Sequence, residues 1–204
     1  MRTSHTVVAG IAAAMAAAVS LTGCSGNKTS APASSSKSGS AAGAPSSAPS
    51  STAPGPDYGG LLIKASDIDA PEPFTAGPQV QNPNGQLGIA TTFSTQDGGH
   101  VIKDTIQVLA DPGAATNALN AAKTAQGGII KNPTTDPASV GAGSTMLSGN
   151  APDNSKGVAV LLFTEGKGFV TLEFDGPVDT LPPLDFVNGV GGKQDAAVKK
   201  GLGG

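Results

Sequence analysis

Residues 158–174 read VAVLLFTEGKGFVTLEF. Val158 to Thr164 is an unbroken apolar run of strand length, the best candidate for the central strand. Glu165-Gly166-Lys167-Gly168 supplies a tight reversal, and Phe169 to Phe174 returns as a second strand. A strand, a short glycine turn and another strand dictate antiparallel pairing, because a parallel connection needs a dozen or more residues. The sheet is therefore expected to be antiparallel.

Working back toward the N-terminus, residues 149–157 (GNAPDNSKG) form a turn, and Thr145-Met146-Leu147 is expected to be an edge strand after a loop rich in Pro, Gly and Asp. Asp111-Pro112 has the chemistry of a helix start, with Asp as the N-cap and Pro at the first helical position. The helix runs to about Gln126 with Ala114, Ala115, Ala118, Leu119, Ala122 and Ala125 as a thin apolar stripe, and Gly127-Gly128 stops it. Val101 to Ala110 (VIKDTIQVLA) alternates as a strand, with Ile102, Asp104, Ile106 and Val108 on one face. Gly88 to Thr95 (GIATTFST) is its β-branched partner across the Asp97-Gly98-Gly99 turn. Leu61-Leu62-Ile63 opens the ordered part, and Ser66 caps a short turn that Pro71 and Pro73 end. Beyond the hairpin, a final helix from about Leu184 to Lys200 is interrupted by Gly189, Gly191 and Gly192, so it is expected to be short, broken or frayed.

The order β-β-α-β-β-β-α gives an α+β fold: an antiparallel sheet of about five strands with helices packed on one face. It occupies residues 58–204 as a single domain, with no internal repeat and no second linker. About 147 residues suffice for one modest core. Residues 24–57, by contrast, are dominated by Ser, Ala, Pro, Gly and Thr, with Lys28 and Lys37 the only charges before Asp57. Such a segment cannot bury enough apolar area to offset its ordering entropy, and it reads as a disordered tether averaging about 30 Å end to end. Thr29 and Thr52 are candidate O-glycosylation acceptors within it; the alternative is an unmodified spacer.

Residues 1–23 have the layout of an export signal: a cationic start at Arg2, then an Ala-rich apolar run from Val7 to Val19, too short to span a bilayer. The segment ends in Leu21-Thr22-Gly23-Cys24. These four residues resemble the lipobox of bacterial lipoproteins. The resemblance implies cleavage between Gly23 and Cys24, a diacylglyceryl group on the Cys24 thiol, and anchorage on the extracytoplasmic face of the cell membrane. Cys24 is the single cysteine of 204 residues, so disulfides are excluded and the implied acylation would consume the one free thiol. Removing residues 1–23 leaves eleven lysines against 15 carboxylates, a net charge of −4, and the lipid rather than electrostatics would do the holding.

Taken with the tether and small domain, the signal and lipobox resemble mycobacterial and related actinobacterial surface lipoproteins. The domain layout resembles the LpqN-type lipoproteins, with their PsbP-like sheet, and the extracellular sensor domains of receptor Ser/Thr kinases. The kinase family carries disulfides, which this domain lacks.

Composition and motif tests point away from catalysis. The acidic balance offers no footprint for nucleic acid. His100 is the only His after the signal and reads as a turn surface residue, and with no second His or Cys beside it no zinc site assembles. Gly189-Val190-Gly191-Gly192-Lys193 fails as a phosphate loop, since Val187 and Gln194 stand where Gly and Ser or Thr are needed. Val140-Gly141-Ala142-Gly143-Ser144 fails as a dinucleotide loop for want of spacing and a preceding strand. The carboxylates Asp67, Asp69, Glu72, Glu165, Glu173, Asp175, Asp179 and Asp185 lack calcium-loop spacing and read as solvated surface. No cofactor, metal or enzyme activity is expected. Two functions remain: a lipid-anchored binding or scaffold module of the envelope, or a carrier of acylated envelope lipids with a pocket between the sheet and its Ala-faced helix.

Overall fold

A computed structural model describes residues 56–203. The signal, the lipobox Leu21-Thr22-Gly23-Cys24 and the tether with Thr29 and Thr52 lie outside the described residues. Two single 3-10 turns, Gly59–Leu61 and Ala65–Asp67, lead into strands β1 (Thr75–Ala76), β2 (Val80–Gln81), β3 (Gly88–Ser94) and β4 (Val101–Val108). Helix α1 (Pro112–Ala125) follows, then β5 (Lys131–Pro137), β6 (Ala142–Asn150), β7 (Gly157–Glu165), β8 (Gly168–Gly176) and helix α2 (Leu184–Leu202). All pairings are antiparallel, in the order β1-β3-β4-β8-β7-β6-β5, with β2 also lying on β3.

The α+β class and the antiparallel sheet are as the hairpin at residues 158–174 requires. The sheet has eight strands rather than about five. β1 and β2 are two-residue exposed pairings on β3, and β5 (KNPTTDP) carries two prolines, is mostly exposed and pairs on one side only. An edge strand needs no buried face, so β5 has no apolar alternation to be read. β6, expected at the edge, is interior as a result.

The helices do not share one face. On β7, Val158, Val160 and Leu162 pack with Ala115 and Leu119 of α1, whereas Ala159, Leu161 and Phe163 belong with Val187, Val190 and Val198 of α2. A strand apolar at every position needs cover on both sides, and one helix supplies each. The α2 face also takes Leu61, Leu62, Ile63 and Ile68 from the N-terminal segment. Gln194 of α2 is fully buried there: its Nε2 donates to the Leu61 carbonyl at 2.7 Å, and its Oε1 accepts from the Ile63 N–H at 3.1 Å.

α1 starts as its sequence predicts, with the Asp111 carboxylate accepting the Ala114 N–H at 2.8 Å and Pro112 next to it. α2 corrects the expectation of a broken helix, for it is continuous over 19 residues. Gly191 lets it lie close to the sheet. A Cβ at Gly191 would come within 2.5 Å of Leu161 Cδ2 and 3.1 Å of Val140 Cγ2, while Gly189 and Gly192 face open space. Close packing of Gly191 on β7 offsets its intrinsic cost of about 1 kcal/mol, and the rest of the helix carries the cost of Gly189 and Gly192. Asp185 in the first turn and Lys199 and Lys200 in the last complement the helix dipole.

Candidate functional site

A groove of about 580 Å³ opens at one end of the β4–β8 pair, beside the start of α2. Ile102 and Phe174, cross-strand partners on the α2 side of the sheet, form its apolar floor. Residues 69–74 make one wall, held to a fixed course by Pro71 and Pro73. Thr180-Leu181-Pro182-Pro183 and Phe186 make the other. The Phe174 and Phe186 rings meet edge to face with centroids 6.0 Å apart, a favourable aromatic geometry. Leu181 stands at the lip with 44% of its surface exposed, the kind of apolar exposure that rims binding grooves.

The lip is pinned from below. Asn150 Nδ2 donates to Asp179 Oδ1 at 2.7 Å, and the Asp179 N–H donates back to Asn150 Oδ1 at 3.1 Å. The Thr180 N–H closes a turn onto the Pro177 carbonyl at 3.0 Å. Gly157 passes so close beneath that a Cβ would reach 2.6 Å from the Thr180 oxygen. These contacts fix the approach to Pro182-Pro183 and so the width of the mouth.

His100 and Thr95 border the groove at the β3–β4 turn. The buried Thr95 hydroxyl donates to Asp97 Oδ1 at 2.7 Å and accepts the His100 N–H at 3.1 Å. The Gly99 N–H and then the Thr95 hydroxyl hold the Asp97 carboxyl below its ordinary pKa. The turn is thus locked, and the His100 ring lies over Gly176, where a Cβ would stand 3.3 Å from Nδ1. His100 is an exposed turn residue as expected, yet it also lines the groove.

On the opposite face of the same strand end, alternating with Phe174, lies a carboxylate cluster. Asp175 Oδ2 accepts from Lys156 at 2.6 Å and lies 3.0 Å from Lys103, and Glu173 Oε1 lies 2.6 Å from Lys103 and 3.5 Å from Lys156. Burial works to raise the Asp175 pKa, but hydrogen bonds from Lys156 and Lys103 outweigh it and leave it lowered. Asp175 Oδ1, by contrast, is buried with no hydrogen-bond partner among the described residues. Glu173 and Asp175 are therefore not the freely solvated pair that their alternation with Phe174 suggests: both are mostly covered and ion-paired.

Elsewhere, the Gly189–Lys193 segment is helix interior in α2, and Ser144 Oγ uses its hydrogen bonds locally, donating to the Ala138 carbonyl at 2.6 Å. A shallower depression of about 350 Å³ lies between the start of α1 and the end of α2, bordered by Asp111, Glu165, Lys167 and Lys199. Facing α1, the sheet is closed by fully buried Ala115 and Leu119 rather than opened by the Ala stripe. Among the described residues no group of three His, Cys, Asp or Glu side chains is placed to hold a metal ion, and no helix is long and apolar enough to cross a membrane.

No family model matches the chain, and no curated protein matches it. Among solved structures, the crystal structure of the extracellular domain of PknH from Mycobacterium tuberculosis is similar in fold, with a TM-score of 0.50 and 9% sequence identity. The match covers 71% of this chain and 94% of that one. The kinase sensor domains named from the element order thus have a structural counterpart, and at this identity the likeness concerns the fold.

Proposed function

We propose that the chain is a lipid-anchored, extracytoplasmic binding module of the cell envelope whose ligand occupies the groove beside α2. The groove carries the reading: about 580 Å³ with an apolar floor and a pinned lip is within the usual range for a small-molecule site. The anchor rests on Leu21-Thr22-Gly23-Cys24 and the export signal before it. The fold it shares with an extracellular domain is consistent with the same compartment. A carrier of acylated envelope lipids is the second reading, favoured by the apolar lining, and it would use this groove rather than the closed face under α1.

Two experiments test the reading. Cys24→Ala should abolish incorporation of labelled palmitate and move the protein from the membrane fraction to the soluble one; retained membrane association with label uptake would remove the lipobox. The chain has no Trp, so Leu181→Trp places a single reporter at the groove lip. Its emission should shift to the blue when an envelope lipid extract is titrated. An unchanged spectrum, with protected and unprotected amides of residues 69–74 exchanging as before, would sink the groove as a ligand site.

A further inference from the structure

We infer that the groove selects a small amphiphile with an apolar body and a cationic ammonium head, seated among its phenylalanines and the carboxylates at its edge. The inference rests on the groove being a ligand site, as proposed above. Three of the chain's six phenylalanines, Phe74, Phe174 and Phe186, border this one groove. Aromatic faces attract cations, and clustered rings are a recurring solution for alkylated ammonium groups.

The charges point the same way. Asp69 and Glu72 stand at the groove, no Lys or Arg lines it, and the Asp175 carboxylate is taken up by Lys103 and Lys156 on the other face of the sheet. Asp69 and Glu72 are exposed at the rim and enter no ion pair among the described residues, where the ion pairs join Lys103 and Lys156 to Glu173 and Asp175. A ligand ammonium would give the Asp69 and Glu72 carboxylates a counter-charge. A fatty-acid carboxylate or a phosphate head would instead meet like charge at the mouth. From residue 56 onward the chain carries nine lysines against all 15 of its carboxylates, so the wider field also repels anions.

The test is a titration of the full-length chain, below micelle formation, with three probes of equal chain length: octyltrimethylammonium, octanol and octanoate. Calorimetry reads affinity, and NMR of labelled phenylalanine reads the site. Octyltrimethylammonium should bind about tenfold more tightly than octanol, a difference of about 1.4 kcal/mol, with octanoate weakest. Its binding alone should weaken as salt rises. The double variant Asp69→Asn/Glu72→Gln, altered only at exposed positions, should keep its melting temperature and bring the ammonium probe close to octanol. Equal or tighter binding of octanoate, with the Phe174 and Phe186 signals moving, overturns the head-group preference while leaving the groove as a ligand site. Failure of all three probes to move those signals overturns the groove itself.

Discussion

The Gln194 side chain bridges two backbone groups of a segment more than 130 residues away, accepting from the Ile63 N–H and donating to the Leu61 carbonyl. Both groups are buried, so nothing else in the fold replaces those bonds. Gln194→Met keeps the bulk and deletes both. Each backbone group left unsatisfied costs about 1–3 kcal/mol, and the thermal midpoint followed by circular dichroism should fall by several degrees. An unchanged midpoint would show that the N-terminal segment is held by its leucines and isoleucines alone.

Asp104 is the reverse case, a buried carboxyl on the α2 side of β4 with neither oxygen hydrogen-bonded among the described residues. It faces Thr91 of β3 and Leu172 of β8, and the Thr91 hydroxyl already donates to the Gly77 carbonyl. Burial raises its pKa well above the ordinary 3.8, so the folded chain prefers the protonated acid. Below 3.8 both states are protonated and nothing is lost. As pH climbs above that value only the unfolded chain ionises, and stability falls until the folded pKa is passed. Asp195, raised by burial and then by the charge of Glu165, acts in the same direction; the lowered Asp175 acts in the opposite one. Asp104→Asn should therefore be more stable than the parent near neutrality, by a margin that grows with pH in urea unfolding from about pH 4 to 8. A margin independent of pH would contradict the assignment.

The three central glycines of α2 should respond differently to the same change. Gly189→Ala and Gly192→Ala add a methyl into open space and should each stabilise by about 0.5–1 kcal/mol. Gly191→Ala drives a methyl against Leu161 and Val140 and should cost about 1–3 kcal/mol. Denaturant midpoints of the three variants check the contrast, and equal shifts would mean that α2 does not seat on β7 as closely as described.

Asn150→Ala removes the reciprocal pair with Asp179 and should cost about 0.5–1.5 kcal/mol per bond. The effect should be local. Amide exchange of Asp179 and Thr180 should quicken and groove affinity should drop, while protection in α1 stays as it was. Uniform acceleration would mean that the lip and the core open together.

The strands at 88–108 and 157–176 and the start of α1 were legible because each announces itself within a dozen residues. β-branched alternation marks the strands, and an Asp-Pro pair marks the cap. The two-faced packing was also present, in a form easily passed over: Val158 to Phe163 has no polar face, and a sheet with one bare side would not look like that. α2 misled because Gly191 has a high intrinsic cost that only its distant neighbours Leu161 and Val140 explain. The groove was illegible for the same reason in stronger form. Its walls come from residues 69–74, 100–102, 174–176 and 180–186, and neither His100 nor Asp175 differs locally from any surface residue. What could have been noticed is the pairing of Pro71 and Pro73 with Pro182 and Pro183, two stiff segments each set close to a phenylalanine.

The sheet order has a consequence for the chain as it is made. β3 and β4 form early as a neighbouring hairpin, but the inner edge of β4 has its partner in residues 168–175, after the whole of β5, β6 and β7. Until β8 arrives, β4 presents an open row of backbone donors and acceptors, and β7 lacks one of its neighbours. The two halves can be sewn together only by a strand near the C-terminus, which makes assembly late, non-local and cooperative. A chain halted before residue 168 would keep a sticky, half-finished sheet; one released complete can close it in a single step.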